Sequence, residues 1–564
     1  MAKKKGKSGQ AARARQQQDA QARRRVPGAA TGQRQGATAH DQGGTRAAAA
    51  QATPSSAGQA SAQNHYLDVS VIRIQDWLAR TPDLRFRRGA SVLLTEATAR
   101  DEVEKALPPG TRWNEEAGDV DGVVSLVVDG GEQAALDAAR EVTRKIQDLM
   151  PHCQVQAVHG RGSAYAAAYE AMEKARRDGR LLADEPPAPP EVILAKPCDQ
   201  CRSAAAVHPE IVIVRDKDPR ERDPDLCEEC YQRHLSAKGT KGDHRPPLPE
   251  RRMKAALEDI GVHVEGFSDD FADMAAAGRK RGDDSLSQLA LIFADGNRVG
   301  AFLHEALADR SGTIDKSDIV RVIRDATIGA LAEAVRNRFG NWKRPPVLAN
   351  IAGGDDLLIS VPAADAWLFT RTLLDQFGRR VNGASGQWPG IGNRPTLSAG
   401  LVFHHLKHPF SDTVRLAEDE LGKAKRWVRG TEAVVSFLDL TADGGAVDRE
   451  PVLLSYLTDH AGELACVEQC PQSRRQALLT LLRQEAYDDV IRRIGDFADN
   501  QPLWDVIVGL KKQGKATPDE ARQALRDDLG KPGELRRLLD IARHYTERPR
   551  RESPRDPADR GETP

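Results

Sequence analysis

The stretch "NIAGGDDLLISVP", residues 350 to 362, decides how the rest of this chain is read. The runs on either side of its centre, VLANIA and LLISVP, have strand character. Gly353-Gly354 between them signals a hairpin, because glycine tolerates the positive φ angles of tight turns. Turn residues are usually only turn residues, so a solvated hairpin is the plain reading, against which a partner for Asp355 and Asp356 elsewhere in the chain is weighed. The run LALIFADG (289–296) is continuously apolar, as expected of a buried central strand, and ends in Asp295. If that strand and the hairpin are neighbours in one sheet, their ends bring Asp295, Asp355 and Asp356 together. Three carboxylates at a sheet edge repel one another unless a cation sits among them. Hard oxygen ligands suit Mg²⁺ or Mn²⁺, which in turn holds nucleotide phosphates. Strict alternation would send Asp355 and Asp356 to opposite faces, so the turn must re-aim at least one of them. Gly353 and Gly354 also leave room for a phosphate or ribose against the backbone.

Around this hairpin the pattern is regular. Helices run through LAEAVRNRFG, and after the hairpin come a helix (AADAWLFTRTLLDQFGRRV), a strand (TLSAGLVFHH), a helix (TVRLAEDELGKAKRWV) and a strand (AVVSFLDL). The same order stands earlier in the chain. YLDVSVIRI (66–74) is an alternating strand, followed by a helical region through RRGASVLLTEATARDEVEKAL, the hairpin TRWNEEAGDVDGVVSLVV, the helix EQAALDAAREVTRKIQDLM and the strand HCQVQAVHG. Both units read β-α-β-β-α-β, the ferredoxin-like arrangement, which makes the fold α+β with an internal duplication. The first unit's hairpin has EEAGDVDGVV in place of Gly-Gly-Asp-Asp, and its first strand does not end on an aspartate followed by glycine. Asp119 and Asp121 are therefore expected to be ordinary turn residues. One unit reads as catalytic and the other as structural.

A chain of 564 residues is too long for one core and implies three or four domains. Lys and Arg number 82 against 83 Asp and Glu, so any nucleic-acid surface must be local. No apolar stretch approaches the roughly 20 residues that span a bilayer. The amino terminus lacks a signal peptide's apolar core. Residues 1–63 are poor in large apolar side chains and are expected to be a disordered basic tail, with nine Lys or Arg against one Asp in the first 25. His40-Asp41 within it has no helical framework and is not read as a metal site. The first α/β unit is placed at 64–185, a four-cysteine module and linker at 190–245, and a helical connector at 246–285. The second α/β unit follows at 286–445, a helical region at 446–546 and a disordered tail at 547–564.

Seven cysteines, four of them in two CxxC pairs, point to a reducing compartment and a metal rather than disulfides. Cys198, Cys201, Cys227 and Cys230 can each give one thiolate to a tetrahedral Zn²⁺ and leave no open position, which makes a structural site. His208 and His234 stand nearby, but four cysteines already fill the shell. Cys153, Cys466 and Cys470 read as residues of packed elements. Lys423 and Lys425, late on a helix in AEDELGKAKRW, are candidates to neutralise a triphosphate, against the ordinary reading of helix-end lysines as dipole partners. The location expected from all this is the cytoplasm, with no membrane partner.

FADGNRVG, IAGGDDLLISVP, LSAGLVFHH and AEDELGKAKRW, in this order, resemble the second palm domain of the polymerase-like large subunit of type III CRISPR effector complexes. VIRIQDWLARTPDLRFRRGASVLL is similar to the opening of that family's first palm. The four-cysteine module and the helical carboxy-terminal domain also fit, and the resemblance spans about residues 66 to 545. It implies two palm domains related to nucleotide cyclases. It also implies synthesis of cyclic oligoadenylate from ATP when the complex of partner subunits and guide RNA binds target RNA. Carried over by position, Asp295, Asp355 and Asp356 would bind two Mg²⁺ or Mn²⁺ ions. Two departures stand out. Where the family often has a second acid two positions after the first-strand aspartate, this chain has Asn297, a neutral ligand. No histidine-aspartate nuclease domain precedes the first palm, so DNA cleavage is not expected. The competing readings are a stand-alone nucleotide or dinucleotide cyclase, which the two-palm plan and cysteine module oppose, and a catalytically silent scaffold, which the intact aspartate set opposes.

Overall fold

In each half of the protein a central strand takes antiparallel partners on both sides. The structure, a computed structural model, describes residues 63–186, 196–212, 222–237, 246–268, 271–277, 288–308, 316–384, 394–442, 449–495 and 533–546. The basic segment with His40 and Asp41, the tail 547–564 and the middle of the expected helical region (496–532) lie outside the described residues.

In the first half β1 (Asn64–Ile72) is followed by α1 (Ile74–Ala79) and α2 (Leu84–Ala97), then β2 (Thr111–Trp113) and β3 (Val123–Val128). Next come α3 (Gly131–Leu149), β4 (Gln154–Gly162), α4 (Tyr165–Arg177) and β5 (Ala183–Glu185). The strand order is β2-β3-β1-β4-β5, the ferredoxin-like order with β5 added at one edge. The helix α4 and strand β5 were not expected from the sequence pattern. Alternation on β1 sends Leu67, Val69 and Val71 into a core shared with α3, whose Ala135, Ala138, Ala139, Val142 and Ile146 recur at helical spacing.

The second half is led by β6 (Gln288–Asn297), α8 (Val299–Ala308) and α9 (Lys316–Phe339). Between the halves stand α5 (Glu228–Ser236), α6 (Leu248–Asp259) and α7 (Phe271–Ala277). The hairpin β7 (Leu348–Gly353) and β8 (Asp356–Pro362), then α10 (Ala366–Gly383), β9 (Thr396–His405), α11 (Phe410–Val428) and β10 (Val434–Asp439) complete it. Its sheet runs β11-β10-β9-β6-β8-β7, where β11 is Val452–Leu453. The first four strands in chain order, β6 to β9, repeat the ferredoxin-like order, and β10 adds parallel to β9.

Both faces of this sheet are covered, which explains the uninterrupted apolar run of β6. Ala290, Ile292 and Ala294 face one core with α9 and α10, where Trp367 meets Phe437 edge-on with centroids 4.9 Å apart. Leu291 and Phe293 face the other, with Leu358, Val402 and the α11 residues Phe410, Val414, Ala417 and Leu421. Beyond β11 come α12 (Leu454–Asp459), α13 (Ala461–Gln469), α14 (Gln472–Arg483), α15 (Tyr487–Gly495) and α16 (Glu534–Ala542). Their apolar residues, among them Leu464, Leu478 and Leu538, join the core of the second half.

Arg338 of α9 and Asp365, just before α10, form an ion pair with both side chains out of water. Removing one member of such a pair leaves a buried charge uncompensated, so Asp365→Ala should destabilise the protein by about 3–5 kcal/mol. Replacing both with apolar residues should cost less, and urea denaturation of the two variants would separate the outcomes.

Candidate active site

The register of the β6–β8 ladder places the carboxylates. Leu289 pairs with Pro362 and Ala294 with Leu357. One step further sets Asp295 opposite Asp356, on the face covered by α11. Directly opposed residues hold their β-carbons about 5 Å apart, and like charges there are destabilising. The hairpin closes with Gly353 opposite Asp356, so Gly354 and Asp355 form a two-residue loop. Gly354 has φ +60° and Asp355 does not share the positive φ, which is the glycine-first pattern of a tight hairpin turn. The turn re-aims Asp355, as the sequence required. A carboxylate oxygen of Asp355 lies only 2.4 Å from where a β-carbon on Gly296 would stand, so a side chain at 296 and this position of Asp355 exclude each other.

The three carboxylates therefore meet at one end of the sheet, and their charges show it. Burial, then the Asp295 charge, pushes the Asp355 carboxyl up to about 6, with Lys425 pulling the other way. Burial and the charges of Asp295 and Asp355 push Asp356 up to about 8. Lys425 of α11 pairs with Asp295 and donates to the Gly296 carbonyl at 3.0 Å. One lysine does not compensate three carboxylates.

The other sequence candidates separate. Lys423 donates to the Arg449 carbonyl and does not join the carboxylates. Asn297 is 2% exposed, and the two N–H groups of its amide are shared among Thr396 Oγ1, Ser398 Oγ and the Glu432 carbonyl, each 2.9 Å from Nδ2. The Glu432 carbonyl can only accept, which fixes the amide's orientation and leaves Asn297 Oδ1 buried with no partner among the described residues. Gly353 and Gly354 lie in the turn as expected. Asp119 is an exposed turn residue. Asp121 is more than that. It forms an ion pair with Arg252 of α6, and its Oδ2 stands 2.3 Å from the place of a β-carbon on Gly353. No local pattern marks Arg252, which is 131 residues from Asp121 in sequence.

Cys198, Cys201, Cys227 and Cys230 gather their sulfurs within 4.8 Å of one another. Cys201 Sγ and Cys227 Sγ are 3.7 Å apart. A tetrahedron with metal–sulfur bonds of about 2.3 Å has edges of about 3.8 Å, so these thiols fit Zn²⁺. His208 is turned to Glu228 and stacks on Tyr231, and His234 lies tilted against Phe86 with ring centroids 6.1 Å apart. Helix α5 of this module is fixed to the first half through the fully buried Arg233, which donates to the Trp77 carbonyl at 3.0 Å and pairs with Glu229.

A ferredoxin-like sheet with acids at the end of its first strand and in the adjoining hairpin is palm-like in arrangement. Residues 288–433 match the model of the Cas10/Cmr2 second palm domain, and this part of the chain is Cas10-like. Among solved structures, a Csm1–Csm4 cassette in complex with cA4 is similar at 13% identity, covering 86% of this chain and 70% of that one, with a TM-score of 0.47. The cassette with AMPPNP is similar at 13%, covering 85% and 70%, with a TM-score of 0.48. Csm1 of T. onnurineus is similar at 14%, covering 86% and 69%, with a TM-score of 0.46. No curated protein matches the sequence. No helix among the described residues is long and apolar enough to cross a membrane.

The two raised carboxyls give a pH dependence in the protein without divalent cation. A carboxylate whose folded pKa lies above its unfolded value of about 4 favours folding fully only while it stays neutral, at low pH. That contribution is lost as pH rises from about 4 through 6 for Asp355 and through 8 for Asp356. Asp356→Asn should therefore melt higher than wild type at pH 8.5 in Mg²⁺-free buffer, with the difference vanishing near pH 4. A difference independent of pH would mean that Asp356 is not held in this crowded state.

Proposed function

We propose that this chain is the large subunit of a type III CRISPR effector complex and joins ATP into cyclic oligoadenylate at its second palm when the complex binds target RNA. The convergence of Asp295, Asp355 and Asp356 around one lysine carries the reading, because an undercompensated set of hard oxygen ligands at a palm's edge serves divalent-metal nucleotide chemistry. The family match over 288–433 supports the same class. Asp295, Asp355 and Asp356 would hold Mg²⁺ or Mn²⁺. Bound there, such ions supply charge for the triphosphate and acidify an attacking ribose hydroxyl.

The chain's own residues have distinct parts in this scheme. Gly354 makes the turn that brings Asp355 beside Asp295. Gly296 leaves the space that Asp355 fills. Lys425 carries the positive charge at the strand end and is placed to meet a triphosphate there, whereas Lys423 is engaged elsewhere. The orphaned Asn297 oxygen is a neutral acceptor under α11 and takes the place of a second strand acid. The four-cysteine module is assigned a structural Zn²⁺. Partner subunits, guide RNA and target RNA complete the proposal.

The test is oligoadenylate synthesis by the assembled complex from labelled ATP with Mg²⁺ or Mn²⁺ and target RNA. Asp355→Ala with Asp356→Ala should lower the rate at least ~100-fold, about 2.7 kcal/mol of lost transition-state stabilisation. Asp119→Ala, an exposed turn change, should leave it near wild type. Wild-type activity in the double variant, folded and assembled, would overturn the assignment. Metal analysis of the purified protein should find about one zinc per chain. Cys201→Ser should lower stability before it alters chemistry. A well-folded preparation free of zinc would remove the metal from the module.

A further inference from the structure

The first palm and the connector helix α6 together reach the three residues that lead into the catalytic turn. Strand β7 is bulged between Ala349 and Ile351, and bulges re-aim the residues that follow. Ile351 then packs against the core of the first half as well as against the α11 face of the second. The carbonyl of Ala352 accepts from Arg252 Nη1 at 3.4 Å. Gly353 comes so close to Asp121 that no side chain fits between them. Asp121 is itself held at both oxygens, by Arg252 Nη1 at 2.5 Å and Nη2 at 3.0 Å. Its turn is tied back to β1 by the Val71 amide donating to the Gly122 carbonyl at 2.8 Å. A planar fork meeting a carboxylate twice is the geometry that fixes direction as well as distance.

We propose that Asp121 and Arg252 are positioning residues: a clamp through which the first palm, which lacks the Gly-Gly-Asp-Asp turn, sets where Asp355 and Asp356 stand in the second. The proposal rests on the catalytic reading above for its functional sense. Its physical content is that the hairpin has one edge, β7, and that this edge is fastened at three consecutive residues, to the first palm at Ile351 and Gly353 and to α6 at Ala352. Gly354, Asp355 and Asp356 follow at once, so a shift of the β7 end moves the carboxylates relative to Asp295, which belongs to a different strand. Asp121 acts through its contacts with Gly353 and Arg252.

Asp121→Asn is isosteric at a residue about one-third exposed, so the fold should tolerate it, and Arg252→Gln removes the other partner. Three readouts apply, with Mn²⁺ as the metal probe. Each variant should speed hydrogen exchange of the 350–357 amides and weaken Mn²⁺ binding about tenfold, the usual scale for groups that orient metal ligands. In the assembled complex each should lower kcat about tenfold, with the KM for ATP within about twofold. The double variant should be no worse than either single one, since both break the same contact. Wild-type exchange, Mn²⁺ affinity and kcat in the folded single variants would overturn the clamp, as would additive losses in the double variant. The catalytic reading fails separately, when Asp355→Ala with Asp356→Ala leaves Mn²⁺ binding unchanged. Hydrogen exchange in the Asp121 and Arg252 variants still decides the clamp in that case. A fall in melting temperature alone, with the three readouts unmoved, would make the pair merely structural and also overturn the proposal.

Discussion

Opposition of like charges across the end of the β6–β8 ladder is the constraint on which the site depends. The pair Asp295 and Asp356 is not free to separate, because the register that sets them opposite is fixed by the apolar residues behind them. Ala290, Ile292 and Ala294 belong to one core and Leu291 and Phe293 to the other. Both faces of β6 are apolar, but their packing partners differ in size and shape, and a slip of one residue would exchange them. Burial of the strand thus holds two acids together that electrostatics alone would drive apart. The loop adds a third, since its glycine-first turn carries Asp355 toward the strand end instead of away from it.

Compensation in the site is partial. Lys425 reaches Asp295 and leaves Asp355 and Asp356 to be neutralised by protons or by a cation. A fully paired set of acids would be more stable without metal and would gain less by binding it. The energy withheld from folding at neutral pH is available to any group that neutralises these acids.

Much of this was legible in the sequence, because periodicity and turn chemistry are local. The continuous run of β6, the alternation of β1, the Gly-Gly-Asp-Asp turn and the two CxxC pairs each announce themselves within a few residues. The strand order follows from the duplicated β-α-β-β-α-β pattern. What the sequence withheld depends on direction and on long-range meeting. Lys423 and Lys425 are chemically identical and two residues apart, about 200° around a helix, so only the packing of α11 decides which one meets Asp295. Asp121 reads as a turn residue and is one, yet its carboxylate is directed across a domain boundary to an arginine with no motif of its own. The helix α4 and the edge strand β5 lie outside the repeated pattern, which predicted no element there. Asn297 could be named from its place two residues after Asp295, but the three acceptors that claim its amide come from β9 and the segment before β10.

The two halves share an order of elements and differ in how they treat a buried carboxylate. In the first half β1 carries Asp68, 1% exposed and opposite Ser125 in the ladder. Ser125 Oγ donates to it at 2.6 Å, Tyr165 Oη at 2.8 Å and Arg176 Nη2 at 3.3 Å. Tyr165 in turn accepts from Lys316 at the start of α9, so this network also joins the halves. Every lone pair that matters is used, and a buried polar network satisfied in this way rigidifies its surroundings. In the second half the acids stand at the strand end instead of its middle, face one another, and find a single ammonium. A rigid, satisfied half and a strained, unsatisfied one make different contributions to the same site. The first supplies a fixed surface against which a hairpin can be held, and the second supplies charges that acquire full compensation only when a ligand arrives. The contacts at Ile351, Ala352 and Gly353 lie where those two contributions meet.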